Sequence, residues 1–328
     1  MTSDKPTRMP YRFLGDSGLI VSRLSLGSWM DVNEKYTADA WYDMMAFAFK
    51  HGVNLFDNAE IYGAGLAEKN MGAAIKMGVD NGTWSREDLV ITTKIYLGSK
   101  GFVGAGPNDQ GIGRKHIVEV FTPIEETVRA MNFVIDQGWA FYWGTSSWSS
   151  ADFIEACDIA DRFGLIRPIV EQPEYNLIER SKVEFEYVDL YKKHELGLTT
   201  WSPLSYGTLT GKYSAEAPVG SRLSSDYWKS FTPDFADRVA KANKFKPIAE
   251  ELGVSMAVFA IAWCLSNNNV STVLVGAKTL HQLDQNLEAL KVVDRITPEV
   301  KAKIDELLPC ILKPDQPDEV AMIRGRFL

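Results

Sequence analysis

The sequence predicts an α/β barrel, in which parallel strands alternate with helices packed outside them. Three observations carry this prediction. Short apolar runs alternate with longer amphipathic stretches along nearly the whole chain, the pattern of parallel strands joined by crossover helices. The 328 residues accommodate the about 250 that eight such units need to close a barrel. No composition shift, low-complexity segment or longer tandem repeat divides them, so residues 9–328 read as one domain behind a flexible 1–8. Polar side chains also follow two apolar runs, Asp57 after residues 53–56 and Lys94, past two threonines, after residues 89–91, and such barrels gather their working residues at C-terminal strand ends.

Taken in order, residues 11–14 and 19–21 flank Gly15-Asp16-Ser17-Gly18 and read as a hairpin that plugs one end of the fold. A strand at 24–27 leads to a helix over 40–50, whose Trp41, Met44, Met45, Ala48 and Phe49 share one stripe. A strand at 53–56, a helix over 66–77 and a strand at 89–93 follow. Thr122, Pro123 and Glu125 supply an N-cap, a first-turn proline and the third-position glutamate of a capping box, starting a helix that runs to 137. The alternation then predicts strands at 140–142, 169–171 and 198–200 and helices over 152–163 and 183–196. After an irregular stretch over 205–235 come helices at 236–252 and 256–266, a strand at 273–275 and a helix over 280–290.

That makes seven strands. Between 93 and 140 lie a glycine-rich loop, a helix-like stub over 114–120 and then at once the helix start at Thr122. The remainder of a third helix plus a fourth strand needs on the order of twenty residues, and no such run exists, so most of helix 3 and strand 4 are expected to be missing at the junction of Val120 and Phe121. A splice form or a gene-model error would produce such a join. Seven strands break the layer alternation of an eight-stranded interior, and each buried backbone group left unpaired at the seam costs roughly 1–3 kcal/mol. The expected product is a distorted barrel whose edges draw together, or a poorly folded chain.

Composition bounds the function. The 35 Lys and Arg against 43 Asp and Glu give a net charge of −8, unlike the basic footprint of a nucleic-acid binder. Cys157, Cys264 and Cys310 are odd in number and lack metal-ligand spacing, which fits buried thiols in a reducing compartment. The N-terminus has no apolar signal core, and the greasiest run, 256–265, falls short of the about 20 residues that span a bilayer. A soluble, cytoplasmic protein is expected. The glycines of 101–106 are out of order for a dinucleotide fingerprint, and Pro107 follows where a helix should. Trp139, Trp143 and Trp148 are expected to pack.

Neighbouring parallel strands lie about 4.8 Å apart, so Asp57, Tyr62 and Lys94 could meet. A charged lysine favours the phenolate of a nearby tyrosine, which would make Tyr62 a usable acid, able to protonate a carbonyl oxygen while hydride reaches the carbon, with Asp57 aiming the lysine. Singly, each residue is better explained as a turn former, a solvated cation or a packing ring.

Asp57 with Tyr62, Lys94, Trp201-Ser202-Pro203-Leu204 and Val275-Gly276-Ala277-Lys278 resemble the aldo-keto reductase superfamily. The sequence is more closely similar to potassium channel beta subunits and their oxidoreductase relatives through Gly144-Thr145-Ser146, Glu171 to Asn176, Gly211-Lys212-Tyr213 and Ala260 to Leu265. The resemblance implies an aldo-keto reductase-type (β/α)8 TIM barrel that binds NADP(H), with Asp57, Tyr62 and Lys94 as three members of a catalytic tetrad. The fourth, a histidine or asparagine at the end of strand four, falls in the gap; His116 is nearest in order and is read as a surface histidine.

The resemblance also implies that Ser28 and Trp29 border the nicotinamide, Ser146 and Gln172 bind its carboxamide and Trp201 stacks on its ring. Ser202, Pro203 and Leu204 would start a loop over the pyrophosphate, with Lys212 adding charge. Arg222, in the irregular 205–235 stretch, and Lys278, in the Val275-Gly276-Ala277-Lys278 segment, would face the 2′-phosphate, and Gln282 and Asn286 would bracket the adenine. Ser147 stands where a basic residue is common, and Lys278 where channel subunits often have serine. Two functions follow from the resemblance. One is an NADP-dependent reductase of small aldehydes or ketones, impaired by the lost strand; the other is a cytoplasmic regulatory subunit docked, usually as a homotetramer, on a potassium channel.

Overall fold

The computed structural model of the chain describes residues 8–30, 36–100, 106, 110–111, 123–214, 217 and 221–311. The junction of Val120 with Phe121, the 114–120 stub with His116, and Thr122 lie outside them. The hairpin forms as β1 (Tyr11–Phe13) antiparallel to β2 (Ile20–Ser22). Arg12 reaches from it to the carbonyls of Asn267, Asn268 and Val270, at the entry to the last strand, so the hairpin covers the N-terminal end of the sheet.

The alternation then runs β3 (Leu24–Gly27), α1 (Ala38–Lys50), β4 (Leu55–Asp57), α2 (Leu66–Asp80) and β5 (Val90–Thr92). It resumes with α3 (Ile124–Asp136), α4 (Ser150–Phe163), β6 (Val170–Glu171), α5 (Val188–Lys193), β7 (Gly197–Thr200), α6 (Asp226–Ser230) and α7 (Phe235–Lys244). It closes with α8 (Lys246–Glu251), α9 (Met256–Leu265), β8 (Val270–Val275), α10 (Leu280–Leu287) and α11 (Pro298–Leu307). One six-stranded sheet has the order β5-β4-β3-β8-β7-β6, with every pair parallel. Leu26 of β3 lies opposite both Phe56 of β4 and Val275 of β8. The first barrel strand thus pairs with the second and the last, as barrel closure requires, and the curled parallel sheet with helices outside is of the predicted barrel class.

Beyond β6, residues 143–145 continue the curl. Ile169 donates to the Trp143 carbonyl at 3.0 Å and Thr145 to that of Val170 at 2.9 Å, and Thr145 bridges Glu171. The pairing sits about three residues later than the strand expected at 140–142. Hydropathy alone misplaced it: Trp139 and Phe141 are 70% and 80% exposed after α3, whereas Trp143 is buried with its indole N–H on the Ile166 carbonyl. Gly144 allows the close approach, because a Cβ there would fall 2.3 Å from Val170 Cγ1. Among the described residues, no backbone hydrogen bond joins 143–145 to β5.

The expected stripe of α1 is buried at Trp41, Met44, Met45 and Ala48 in one core with Met71 and Ala74 of α2, and Phe49 meets the edge of Trp84. The helix α9 is apolar on every face and buried throughout from Val258 to Leu265. Among the described residues, no single helix is long and apolar enough to cross a membrane. The segment expected as one helix at 236–252 breaks at Phe245, before Pro247 at the start of α8. The 183–196 segment opens with a π-turn over Lys182–Glu186 and ends as α5. Helix α11 was absent from the expectation, although Thr297 caps it and Pro298 starts it, both ordinary start signals.

Gly197, at the head of β7, faces backbone: a Cβ there would lie 2.3 Å from the Gly15 nitrogen. Neither chain can yield without moving the hairpin, so Gly197→Ala should destabilise the fold by about 1–3 kcal/mol. Gly72, on the exposed side of α2 with nothing within 4 Å of its Cβ position, should gain about 0.5–1 kcal/mol as alanine. Urea midpoints of the two variants should therefore move in opposite directions.

Candidate active site

The register of β4 and β5 puts Asp57 opposite Thr92, and Lys94, two residues further on, returns to the same face. The Lys94 ammonium lies 2.6 Å from Asp57 Oδ2, 2.8 Å from the Asn58 carbonyl and 3.4 Å from Tyr62 Oη. Asp57 Oδ1 accepts from Thr92 Oγ1 at 2.7 Å and Gln172 Nε2 at 3.1 Å. Burial lowers the Lys94 pKa, but the Asp57 carboxylate and Tyr62 outweigh it and the net direction is up. The amine therefore stays charged beside the tyrosine hydroxyl. The Trp29 ring stacks on Tyr62 with centroids 6.0 Å apart and planes 12° apart, fixing the phenol from its other face.

These groups open into a cleft of about 2370 Å³. Trp29, Ser146, Gln172, Trp201, Ser202, Pro203, Leu204, Lys212, Gly276, Lys278, Gln282 and Asn286 line it with Asp57, Tyr62 and Lys94. Ser28 lies behind this surface, fully buried, its hydroxyl donating to Asn58 Oδ1 at 2.8 Å. Ser146 Oγ donates to the Gln172 carbonyl at 3.0 Å, and Trp201 meets Trp29 edge-on at 5.8 Å. The Gln282 side chain accepts from the Lys278 backbone at 2.7 Å, and Asn286 reaches the Gly276 carbonyl at 3.4 Å. Arg222 begins a short helical turn, Arg222–Ser224. Among the described residues, no group of three His, Cys, Asp or Glu could hold a metal ion.

The loop after β7 is bent by left-handed residues: Ser202 at φ 56°, Ser205 at 48° and Tyr206 at 56°, followed by Gly207 at 105°. Each non-glycine residue in that region costs about 1–3 kcal/mol and persists where its surroundings over-determine it. The Ser202 hydroxyl accepts from Tyr206 N at 3.1 Å, and the Ser202 carbonyl accepts from Asn176 Nδ2 at 3.1 Å.

The sequence model of the Aldo/keto reductase family matches residues 23–121 and 114–309. The chain belongs to the aldo/keto reductase family. It is 46% identical over 337 aligned positions to a protein of Arabidopsis thaliana named probable voltage-gated potassium channel subunit beta, with 94% of this chain and 99% of the relative covered. A rice protein (Oryza sativa subsp. japonica) of the same name is 46% identical over 326 positions, covering 92% and 97%.

Aldo/keto reductases generally bind NADP(H), and the residues of this member fit a dinucleotide. A flat indole, Trp201, meets Trp29, which stacks on Tyr62, the Ser146 hydroxyl and Gln172 lie on the same cleft wall, and the bent 202–207 loop and Lys212 line the cleft as well.

Two groups in this aldo/keto reductase were not singled out from the sequence. Arg238 of α7 is buried among carboxylates behind the 202–207 loop; on a helix with a strong polar face its charge gave no signal. Glu171, next to Gln172, is also buried. Burial pushes its carboxyl up to about 7, against the lowering effects of the Thr145 hydroxyl, the Lys182 charge and the Ser147 and Trp148 backbone. Its Oε1 finds no hydrogen-bond partner among the described residues.

The folded pKa of Glu171 lies above its ordinary 4.5, so between those values the native state holds the proton that the unfolded chain has lost. Stability should therefore fall as pH rises through that window, by on the order of 3 kcal/mol from this group. Glu171→Gln should remove most of that slope, read as a smaller difference between urea midpoints at about pH 4.5 and about pH 7.5 than in the wild type.

Proposed function

We infer that the chain is an NADP(H)-dependent reductase of aldehydes or ketones, and the observation that carries this reading is Tyr62 Oη held 3.4 Å from the Lys94 ammonium. The bound dinucleotide would supply or accept hydride. Tyr62 would donate its proton to the carbonyl oxygen, and Lys94 would stabilise the phenolate left behind, itself held charged and aimed by Asp57. Trp201, Ser146 and Gln172 would orient the nicotinamide end. Ser202, Pro203, Leu204 and Lys212 would hold the pyrophosphate, and Arg222, Lys278, Gln282 and Asn286 the adenosine 2′-phosphate end. Guanidinium and ammonium groups there would favour NADP over NAD.

The reading includes a lost helix–strand unit at the junction of Val120 and Phe121 and, with it, a lost fourth catalytic position, so that turnover is slower than in an intact relative. Three observations support this. Among the described residues, the sheet curl ends at β5 on one side and at residues 143–145 on the other. The family match comes in two pieces that meet at residues 114–121. The alignment with the Arabidopsis relative spans 337 positions, although only 94% of these 328 residues take part, so the relative has residues with no counterpart here.

The names of the two plant relatives favour a second reading, a soluble regulatory subunit on the cytoplasmic side of a potassium channel that uses NADP(H) as a ligand. Co-elution with a channel's cytoplasmic domain, at the mass of four 36.7 kDa chains plus the channel portion, would support it; a monomer that ignores the channel would remove it.

For the reductase, NADPH should raise the melting temperature in proportion to the logarithm of its concentration above Kd, and NADH should do so less. Oxidation of NADPH by a reactive aromatic aldehyde should be measurable, and Tyr62→Phe should lower it about 10²-fold or more while keeping the thermal shift. Absence of any shift at millimolar NADPH refutes cofactor binding; undiminished turnover in Tyr62→Phe refutes the acid.

A further inference from the structure

The left-handed 202–207 loop needs something to hold it. Arg238 projects from α7 into its back, with only 8% of the residue exposed. Its Nη1 donates to Ser205 Oγ at 2.9 Å, and the guanidinium carbon lies 5.9 Å from the centroid of the Tyr206 ring. Ser205 and Tyr206 are two of the loop's three non-glycine residues at positive φ. The remaining faces of the guanidinium meet carboxylates: Asp234 at 2.8 Å from Nε, Glu179 at 3.4 Å from Nη2 and Glu174 at 3.7 Å from Nη1. Glu174 also takes a hydrogen bond from Asn176 Nδ2 at 3.1 Å, and the same nitrogen holds the Ser202 carbonyl.

We propose that Arg238 is a positioning residue that clamps the 202–207 loop over the dinucleotide's pyrophosphate and offsets part of the charge of the three carboxylates behind it. The inference rests on the NADP(H)-binding reading above. Two effects follow from one side chain. The fork fixes Ser205 and Tyr206 in a conformation they would otherwise leave, so the loop is shaped before the dinucleotide arrives. The cation also offsets Asp234, Glu174 and Glu179, whose summed negative charge would otherwise repel a diphosphate crossing the loop. Lysine can supply the charge but not the planar, multi-pronged contact.

The test measures NADPH and adenosine 2′,5′-bisphosphate binding to the full chain by fluorescence titration and stopped flow. The second probe carries the 2′-phosphate and adenine but has no pyrophosphate bridge to lie under the loop. Arg238→Met should weaken NADPH binding roughly ten- to hundred-fold, mostly through faster dissociation, while the bisphosphate affinity stays within about twofold. Arg238→Lys should lie between, and added salt should shrink the loss in Arg238→Met, where the carboxylates are uncompensated, more than that in Arg238→Lys. Ser205→Ala, which removes only the acceptor and leaves the ion cluster folded, should also speed NADPH release. Unchanged NADPH dissociation in Ser205→Ala and Arg238→Lys overturns the clamp. Equal weakening of both probes by Arg238→Met would make the residue a fold element alone and overturns it too. A wild-type chain that binds neither probe removes the cofactor reading itself, an outcome seen before any variant is compared.

Discussion

The Asp57–Lys94 ion pair is the contact on which the mouth of the barrel depends. It exists because β4 and β5 run parallel in a register that sets Asp57 beside Thr92, and the next residue on that face is Lys94. The Asp57 side chain is only 4% exposed, so its charge must be answered within the protein: removing one partner of such a pair costs about 3–5 kcal/mol. It is answered from both arms of the curled sheet, by Thr92 and Lys94 on one side and Gln172 on the other. Lys94 in turn ties down the Asn58 carbonyl and Tyr62. One buried carboxylate thus joins strands that are far apart in sequence and, through Lys94, orients the Tyr62 hydroxyl.

Much of this was legible in the sequence because it depends on local signals. A polar residue after an apolar run marks a strand end, and the strand–helix alternation fixes which ends face the same way, so Asp57, Tyr62 and Lys94 were found together before any geometry. The strand at 143–145 was misplaced because Trp139, Phe141, Tyr142 and Trp143 look alike as hydrophobes and differ only in what covers them. The left-handed bend at Ser202, Ser205 and Tyr206 left no sign because serine and tyrosine are not residues that announce positive φ. Arg238 and Glu171 were invisible for a further reason. Each matters through partners contributed by distant segments, and no spacing in the chain encodes those meetings.

The two functional readings use the same cleft and differ in how much of it they require. A dinucleotide ligand site needs only the ring platform, the bent loop and the cationic far end. Reduction needs, in addition, a proton donor at the right atom and an environment that tightens in the transition state. Asp57, Lys94 and Tyr62 answer the first demand, while the proposed loss of the fourth position bears on the second. On the proposed readings, a loss confined to the fourth position would reduce turnover before it reduced binding, and a cofactor-dependent regulatory role could outlast weakened catalysis.

The proposed missing wall need not be ruinous. The expected penalty for a missing wall assumed that the edges of β5 and residues 143–145 are buried, where every unmade backbone bond costs roughly 1–3 kcal/mol. Yet all three residues of β5 are only half-buried, in contrast to the wholly buried β4 and β8, and Gly144 is exposed. Water can reach β5 and Gly144, where a hydrated N–H or C=O loses little by lacking a strand partner, although Trp143 and Thr145 on either side of Gly144 are buried. Closure rests instead on the opposite wall, where β3 is bonded to both β4 and β8, and on the Gln172–Asp57 bond across the mouth. A barrel held from its far side would tolerate the proposed seam, because β5 and Gly144 keep part of their surface in water.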